Sequence, residues 1–421
     1  MDLHLQRGFM LRWSVMMIVF IYGRAKALPP TPPPTPAPTP PPPPTPSPAM
    51  GVCKSSVMVH GYQCQEFYVK TEDGYVLNMQ RISTSGGGRS SGGSRGGGKK
   101  VNKQPVLLQH GDGMTWLLNT PQQSLAFILA DSGFDVWIAN TRGTKFSRQH
   151  VTLSASQPEY WNWSWDELVD YDLPATSGLV YNQTGQKLHY VGHSMGTTIA
   201  LASFTEGKLV DKLRSAALLS PVAYRSHLTT AIVAIAVKAY LYEINMLMGV
   251  EEFDPKSEAI INSIHSLCMK SRIDCHDLIS SFTGENCCLN ASTLELFWKN
   301  EPQPTSTKNM VHISQSVRDG TFSRFNYGSP EMNFEHYGQG WPPIYNLLNV
   351  PRDLPLFLSY GGRDALSDVT DVEILLNKLT FHDPDELTTL FIQDYAHLDF
   401  IMADNAKEMV YNALIAFLRR H

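Results

Sequence analysis

Cysteine is scarce in this 421-residue chain: there are six, and no two form a C-x-x-C pair. That excludes a small disulfide-built scaffold and leaves a structural zinc site without a ligand pattern. Positive charge is not in excess either. Lys and Arg number 34 against 39 Asp and Glu, for a net charge of −5. Without a basic stripe the chain lacks the electrostatic footprint of a nucleic-acid binder. Long apolar runs are few. The run at 13–23 follows Arg7 and Arg12 and precedes Ala25-Lys26-Ala27, which has the form of an A-x-A cleavage site. It is too short to span a bilayer comfortably, so 1–27 reads as a signal peptide in preference to a signal anchor. The mature chain would then have no transmembrane span and would enter an oxidising compartment.

What is present is a composition that is 43% hydrophobic, enough for a large core with a smaller subdomain. Two tracts cannot join that core. Residues 28–48 are almost entirely Pro, Thr, Ser and Ala and read as extended polyproline II within a linker over 28–50, a stiff spacer in preference to a wall-associating stalk. Residues 85–100 are Gly/Ser-rich and read as a solvated loop inside a domain. One disulfide between Cys53 and Cys64 and one among Cys268, Cys275, Cys287 and Cys288 are expected. Sequons at Asn162, Asn182 and Asn290 fit N-glycosylation of a secreted chain.

Between these tracts the pattern alternates. Strand-like runs lie at 105–109, 135–140, 188–191, 216–219, 355–360 and 388–392, with helix-length segments between several of them. That rhythm predicts a mostly parallel sheet with helices on both faces. Two earlier runs, 67–69 and 75–80, are joined by Thr71-Glu72-Asp73-Gly74, a hairpin turn. The alternation stops over about 225–345, which reads as an inserted helical cap. Its first stretch, 228–249, is very apolar but contains Lys238 and Glu243, so a buried cap helix or a lipid-facing lid is expected there and not a membrane span. The resulting division is a core over 51–224, the cap over 225–345, and a second core part over 346–421.

G-x-S-x-G occurs three times. Two copies fall in the Gly/Ser tract and are accidents of composition. The third, Gly192-His193-Ser194-Met195-Gly196, follows a strand and precedes a run of small helix-compatible residues. A serine on such a strand–turn–helix bend is a nucleophile elbow, with the helix N-terminus aimed at a developing oxyanion. A serine nucleophile needs a base, and the base an orienting carboxylate, here in the chain order Ser, acid, His. Asp364 ends the strand-like run 355–360 through Gly361-Gly362-Arg363, with Asp368 as the fallback acid. His397 follows the last strand-like run, whereas His382 precedes it and is the poorer candidate.

These motifs, together with His60-Gly61-Tyr62, Leu108-Gln109-His110-Gly111, Asn140-Thr141-Arg142-Gly143-Thr144, Trp163-Ser164-Trp165-Asp166-Glu167 and His397-Leu398-Asp399-Phe400, resemble the acid lipases of the α/β-hydrolase superfamily, in particular their plant triacylglycerol lipase-like members. The likeness runs from about Val52 to His421. It implies an α/β-hydrolase fold with an eight-stranded sheet, a triad of Ser194, Asp364 and His397, and hydrolysis of lipid esters such as triacylglycerols or sterol esters. No metal or organic cofactor is implied. The partners implied are the lipid ester itself and a transient contact with a lipid surface, after secretion or delivery to a vacuole or lysosome.

One segment departs from the family. The oxyanion hole takes the Met195 N–H and a second donor after the early His-Gly. Here Gly111 runs directly into Asp112-Gly113-Met114-Thr115-Trp116, about three residues short, and places Asp112 at the donor position. A carboxylate there opposes the chemistry, and a lost donor typically costs on the order of 10²–10³ in turnover. Weakened activity is therefore expected, unless Asp112 turns outward or Gly113 supplies the donor. The competing reading is a non-catalytic lipid-binding or wall-associated protein. Acyl transfer to an alcohol is a third.

Overall fold

The computed structural model describes residues 51–84, 103–110, 114–258, 261–262 and 278–421. The expected leader, the proline-rich linker, the Gly/Ser tract, Asp112, Cys268 and Cys275 lie outside the described residues.

The first two strands, β1 (Gln63–Lys70) and β2 (Tyr75–Ser83), form the antiparallel hairpin that the turn chemistry predicts. The Tyr75 N–H donates to Thr71 Oγ1 at 2.8 Å, and Gly74 takes φ +102°. The following strands are β3 (Pro105–Gln109), β4 (Asp135–Ala139), β5 (Gln149–His150), β6 (Leu188–His193) and β7 (Leu213–Leu219). Then come β8 (Glu252–Phe253), β9 (Thr305–Ser306), β10 (Leu356–Gly361) and β11 (Leu387–Ile392). Eight of these lie on one path in the order β1-β2-β4-β3-β6-β7-β10-β11, and the two-residue β5 adds to β2 as a ninth. From β4 to β11 every pairing on that path is parallel.

The central strands are buried along nearly their whole length, and successive side chains point to opposite faces of the sheet. Val106, Leu108, Val136, Ile138, Val191, Ala217 and Leu219 enter one apolar cluster, with the helices Leu125–Asp131 and Asn412–Arg420. Leu107, Trp137, Ala139, Tyr190, Ala216 and Leu218 enter the other, with the helices Leu173–Thr184 and Met195–Thr205. Both faces of the parallel sheet are therefore covered by helices, and its strands read as near-continuous apolar runs. This is the α/β-hydrolase architecture.

Between β7 and β10 the chain forms the helices Ala231–Lys238, Leu241–Leu247, Leu278–Thr283, Ala291–Asn300, Thr307–Asp319 and Pro330–Tyr337. Among the described residues this interval adds no strand to the main sheet; β8 and β9 pair only with each other. No helix among the described residues is long and apolar enough to cross a membrane. Cys53 is bonded to Cys64, and Cys287 to Cys288.

Candidate active site

Parallel strands share a direction, so their carboxyl ends gather at one edge of the sheet, where ligand sites of such folds lie. Ser194 leaves the end of β6, His110 the end of β3, Asp364 follows β10 and His397 follows β11. Ser194 sits between β6 and the helix Met195–Thr205 at φ 54°, ψ −121°. A side chain is strained there, and the surroundings must impose the conformation. Two glycines make it possible. A Cβ on Gly196 would strike the Gln109 carbonyl oxygen, and one on Gly192 would come within 3.0 Å of the Gly196 backbone. Tyr190 Oη donates to the Gly196 carbonyl at 2.6 Å and ties the far side of the bend to its own strand.

The half-buried Ser194 Oγ lies 2.8 Å from His397 Nε2. On the other side of the ring, Nδ1 is 3.0 Å from each carboxylate oxygen of Asp364. His397 and Asp364 are each only 3% exposed. With the proton on Nδ1 donated to Asp364, Nε2 is left as the acceptor facing the serine hydroxyl, the arrangement in which an imidazole can take the serine proton. Burial would push the Asp364 carboxyl upward. The facing His397, through its charge and its hydrogen bond, and the N–H groups of Ser367 and Leu366 at 2.8 and 2.9 Å outweigh it, and the group is held below the usual aspartate value.

The rival residues are engaged elsewhere. Asp368 caps the helix Val369–Lys378, accepting the Thr370 N–H at 2.8 Å. His382 is buried with Nε2 2.7 Å from the Leu354 carbonyl. Met195 opens its helix, where a backbone N–H has no acceptor one turn earlier. Asp112, the other residue expected at the oxyanion hole, lies outside the described residues; of the segments flanking it, His110 Nδ1 is 3.1 Å from Thr115 Oγ1 and the Met114 N–H donates to Glu301 at 3.0 Å. The sequon asparagines Asn162, Asn182 and Asn290 are all exposed, and Asn290 caps the helix Ala291–Asn300.

His193, next to the nucleophile, was not singled out from the sequence. It is fully buried, stacked on His110 with ring centroids 4.8 Å apart, and its Nε2–H donates to the His397 carbonyl at 2.9 Å. Burial first, and then the neighbouring His397 and His110, push its pKa well below the ordinary histidine value, so it is a neutral donor at neutral pH. No sequence signal separates it from any other residue at that position of the elbow.

Residues 53–119 match the family described as a partial alpha/beta-hydrolase lipase region, and residues 104–257 match the alpha/beta hydrolase fold. Triacylglycerol lipase 2 of Arabidopsis thaliana is 55% identical over 375 residues, 88% of each chain. The human lysosomal acid lipase/cholesteryl ester hydrolase is 36% identical, covering 86% of this chain and 89% of its own. Among solved structures, a soluble variant of the monoglyceride lipase of Saccharomyces cerevisiae superposes with a TM-score of 0.51 at 13% identity, over 85% of this chain and 94% of that one. At that identity the likeness is one of fold.

Proposed function

The chain belongs to the α/β-hydrolase lipases and is a serine ester hydrolase, and from that premise we propose that Ser194, His397 and Asp364 hydrolyse carboxylic esters of lipids, triacylglycerols or sterol esters, through an acyl-enzyme. The observation that carries this reading is the unbroken line Oγ–Nε2–Nδ1–carboxylate, made by residues 203 and 33 positions apart in the chain.

In the first half-reaction Ser194 Oγ attacks the ester carbonyl carbon while His397 Nε2 takes the hydroxyl proton. Asp364 stabilises the imidazolium that results. The tetrahedral oxyanion takes the Met195 N–H and a second donor from the segment after His110. Collapse expels the alcohol, which receives the proton from His397, and leaves the acyl group on Oγ. Water then attacks the acyl carbon, gives its proton to His397, and frees the fatty acid as Ser194 recovers its hydrogen. The described helices between β7 and β10 cover the acyl site as a cap that opens at a lipid surface. The leader-like start, the Cys53–Cys64 disulfide and the exposed sequons support passage through the secretory pathway.

The test is covalent labelling with a fluorophosphonate. Label on Ser194, none on Ser194→Ala, and a loss of ester hydrolysis of at least about 10³-fold in that variant are expected. A folded parent protein that takes no label rejects the triad and favours the non-catalytic lipid binder raised by the short segment after Gly111.

A further inference from the structure

The chemistry proposed above requires His397 to stand between Ser194 and Asp364, and the groups that hold it there lie outside those three. The backbone around His397 is satisfied on every side. The Thr283 carbonyl accepts the His397 N–H at 3.1 Å, and His193 donates to the His397 carbonyl at 2.9 Å. Asn286 Oδ1 accepts the Leu398 N–H at 3.1 Å, and Asp399 accepts the Ala396 N–H at 2.8 Å.

Two of these groups, on Thr283 and Asn286, belong to one short segment, 283–288, at the end of the helix Leu278–Thr283. The same segment also reaches the acid. The Thr283 carbonyl accepts the Ala365 N–H at 3.4 Å, one residue past Asp364. Gly284, at φ +90°, lies so close to the Arg363 carbonyl that a Cβ there would collide with it. The segment is braced internally: Asn286 Nδ2 donates to Thr283 Oγ1 at 2.7 Å and to the Gly284 carbonyl at 3.0 Å. At its far end the N–H groups of Cys287 and Cys288 donate to the fully buried Asp399 carboxylate at 3.1 and 3.2 Å.

We propose that residues 283–288 are a strap that sets the spacing of the acid and base loops, and that Asn286 is the positioning residue through which it holds His397. The assignment rests on the triad reading. An asparagine suits the place because it offers an acceptor and two donors on one short side chain. The acceptor goes outward to the base loop and the donors go back to the strap. Asn286 touches no reacting atom. It acts on the Oγ–Nε2 and Nδ1–carboxylate contacts, and a misplacement of about 1 Å at such contacts can cost on the order of 10² in rate.

The experiment compares the parent, Asn286→Ala and Asn286→Asp, each measured for thermal unfolding and for hydrolysis of p-nitrophenyl butyrate. Active sites are counted by fluorophosphonate labelling carried to completion. Asn286→Ala is expected to lower kcat per labelled site about 10- to 100-fold, with KM within about twofold. Asn286→Asp keeps the acceptor for the Leu398 N–H and is expected to recover a substantial part of kcat. A role confined to folding would lower the unfolding temperature and the number of labelled sites while leaving kcat per site unchanged. That result overturns the strap, as does an Asn286→Asp variant no faster than Asn286→Ala. Should Asn286→Ala not fold, Asn286→Ser takes its place beside Asn286→Asp, with the same loss of kcat per labelled site expected and the same outcomes overturning the strap. A parent that never labels at Ser194 overturns triad and strap together, whereas a parent that labels normally beside an equally fast Asn286→Ala overturns the strap alone.

Discussion

Asp364 and Asp368 stand four residues apart after the same strand, and the molecule uses them differently. Asp364 is buried and receives the imidazole and two backbone N–H groups, while Asp368 caps a helix. Asp364→Asn keeps the shape but presents an amide to Nδ1–H, which favours the wrong tautomer. Turnover is expected to fall roughly 10³- to 10⁴-fold, with the fold retained by circular dichroism. Asp368→Ala is expected to leave turnover within a few-fold and to cost about 1 kcal/mol of stability as a lost cap. The opposite pattern in the two kcat values would move the acid to Asp368. Asp364 could be preferred from sequence because it ends a buried strand, and His397 because it follows the last one. Nothing local identifies Asn286, Asp399 or His193 as its supports. Asn286 accepts the Leu398 amide across 112 positions, Asp399 accepts the Cys287 and Cys288 amides across 112 and 111, and His193 reaches His397 across 204.

At the scale of elements, the segment Trp163-Ser164-Trp165-Asp166-Glu167 shows how one short piece joins distant parts. Ser164 and Glu167 close a capping box at the start of the helix Trp165–Glu167. The carboxylate of Asp166 then points away from its own helix: it accepts the Phe325 N–H at 2.8 Å and the Tyr345 hydroxyl at 2.7 Å. Burial outweighs those hydrogen bonds and pushes the carboxyl up from 3.8 to about 6. Between those two values the folded protein keeps a proton that the unfolded chain releases, so this group's contribution is full below the unfolded value and is lost as pH rises through about 6. Asp166→Asn does not titrate. Relative to that variant, the parent is expected to lose roughly 2–3 kcal/mol of stability between pH 4 and pH 7. Denaturant unfolding of both proteins at the two pH values checks this, and a constant difference rejects it. The elbow was legible at this scale because a strand, a glycine-flanked serine and a helix start are consecutive. The attachment of Asp166 to residues 325 and 345 was not, since it joins segments more than 150 positions apart.

For the whole molecule, the Cys53–Cys64 disulfide ties the segment before the sheet to the edge strand β1. Closing a loop of 11 residues is worth roughly 2–3 kcal/mol in the chain-entropy account. The paired change Cys53→Ser and Cys64→Ser is expected to lower stability by about that amount while leaving kcat near the parent's, because the bridge reaches β1 whereas Ser194, Asp364 and His397 follow β6, β10 and β11. Denaturant unfolding and ester turnover of the double variant measure the two effects, and a large loss of kcat would mean that the edge strand governs the site.

The sequence alone was sufficient to place the eight strands of the main path to within a few residues, the parallel class of most of that sheet, and the glycine-flanked bend at Ser194. Each of these depends on neighbours along the chain: short continuous apolar runs, turn residues, and glycines two places from Ser194. Only the tertiary structure decided which histidine faces that serine, which aspartate stands behind its ring, and what braces them. Strand order brings the ends of β6, β10 and β11 to one edge, and contacts across two hundred residues arise from that order and leave no periodicity in the chain itself.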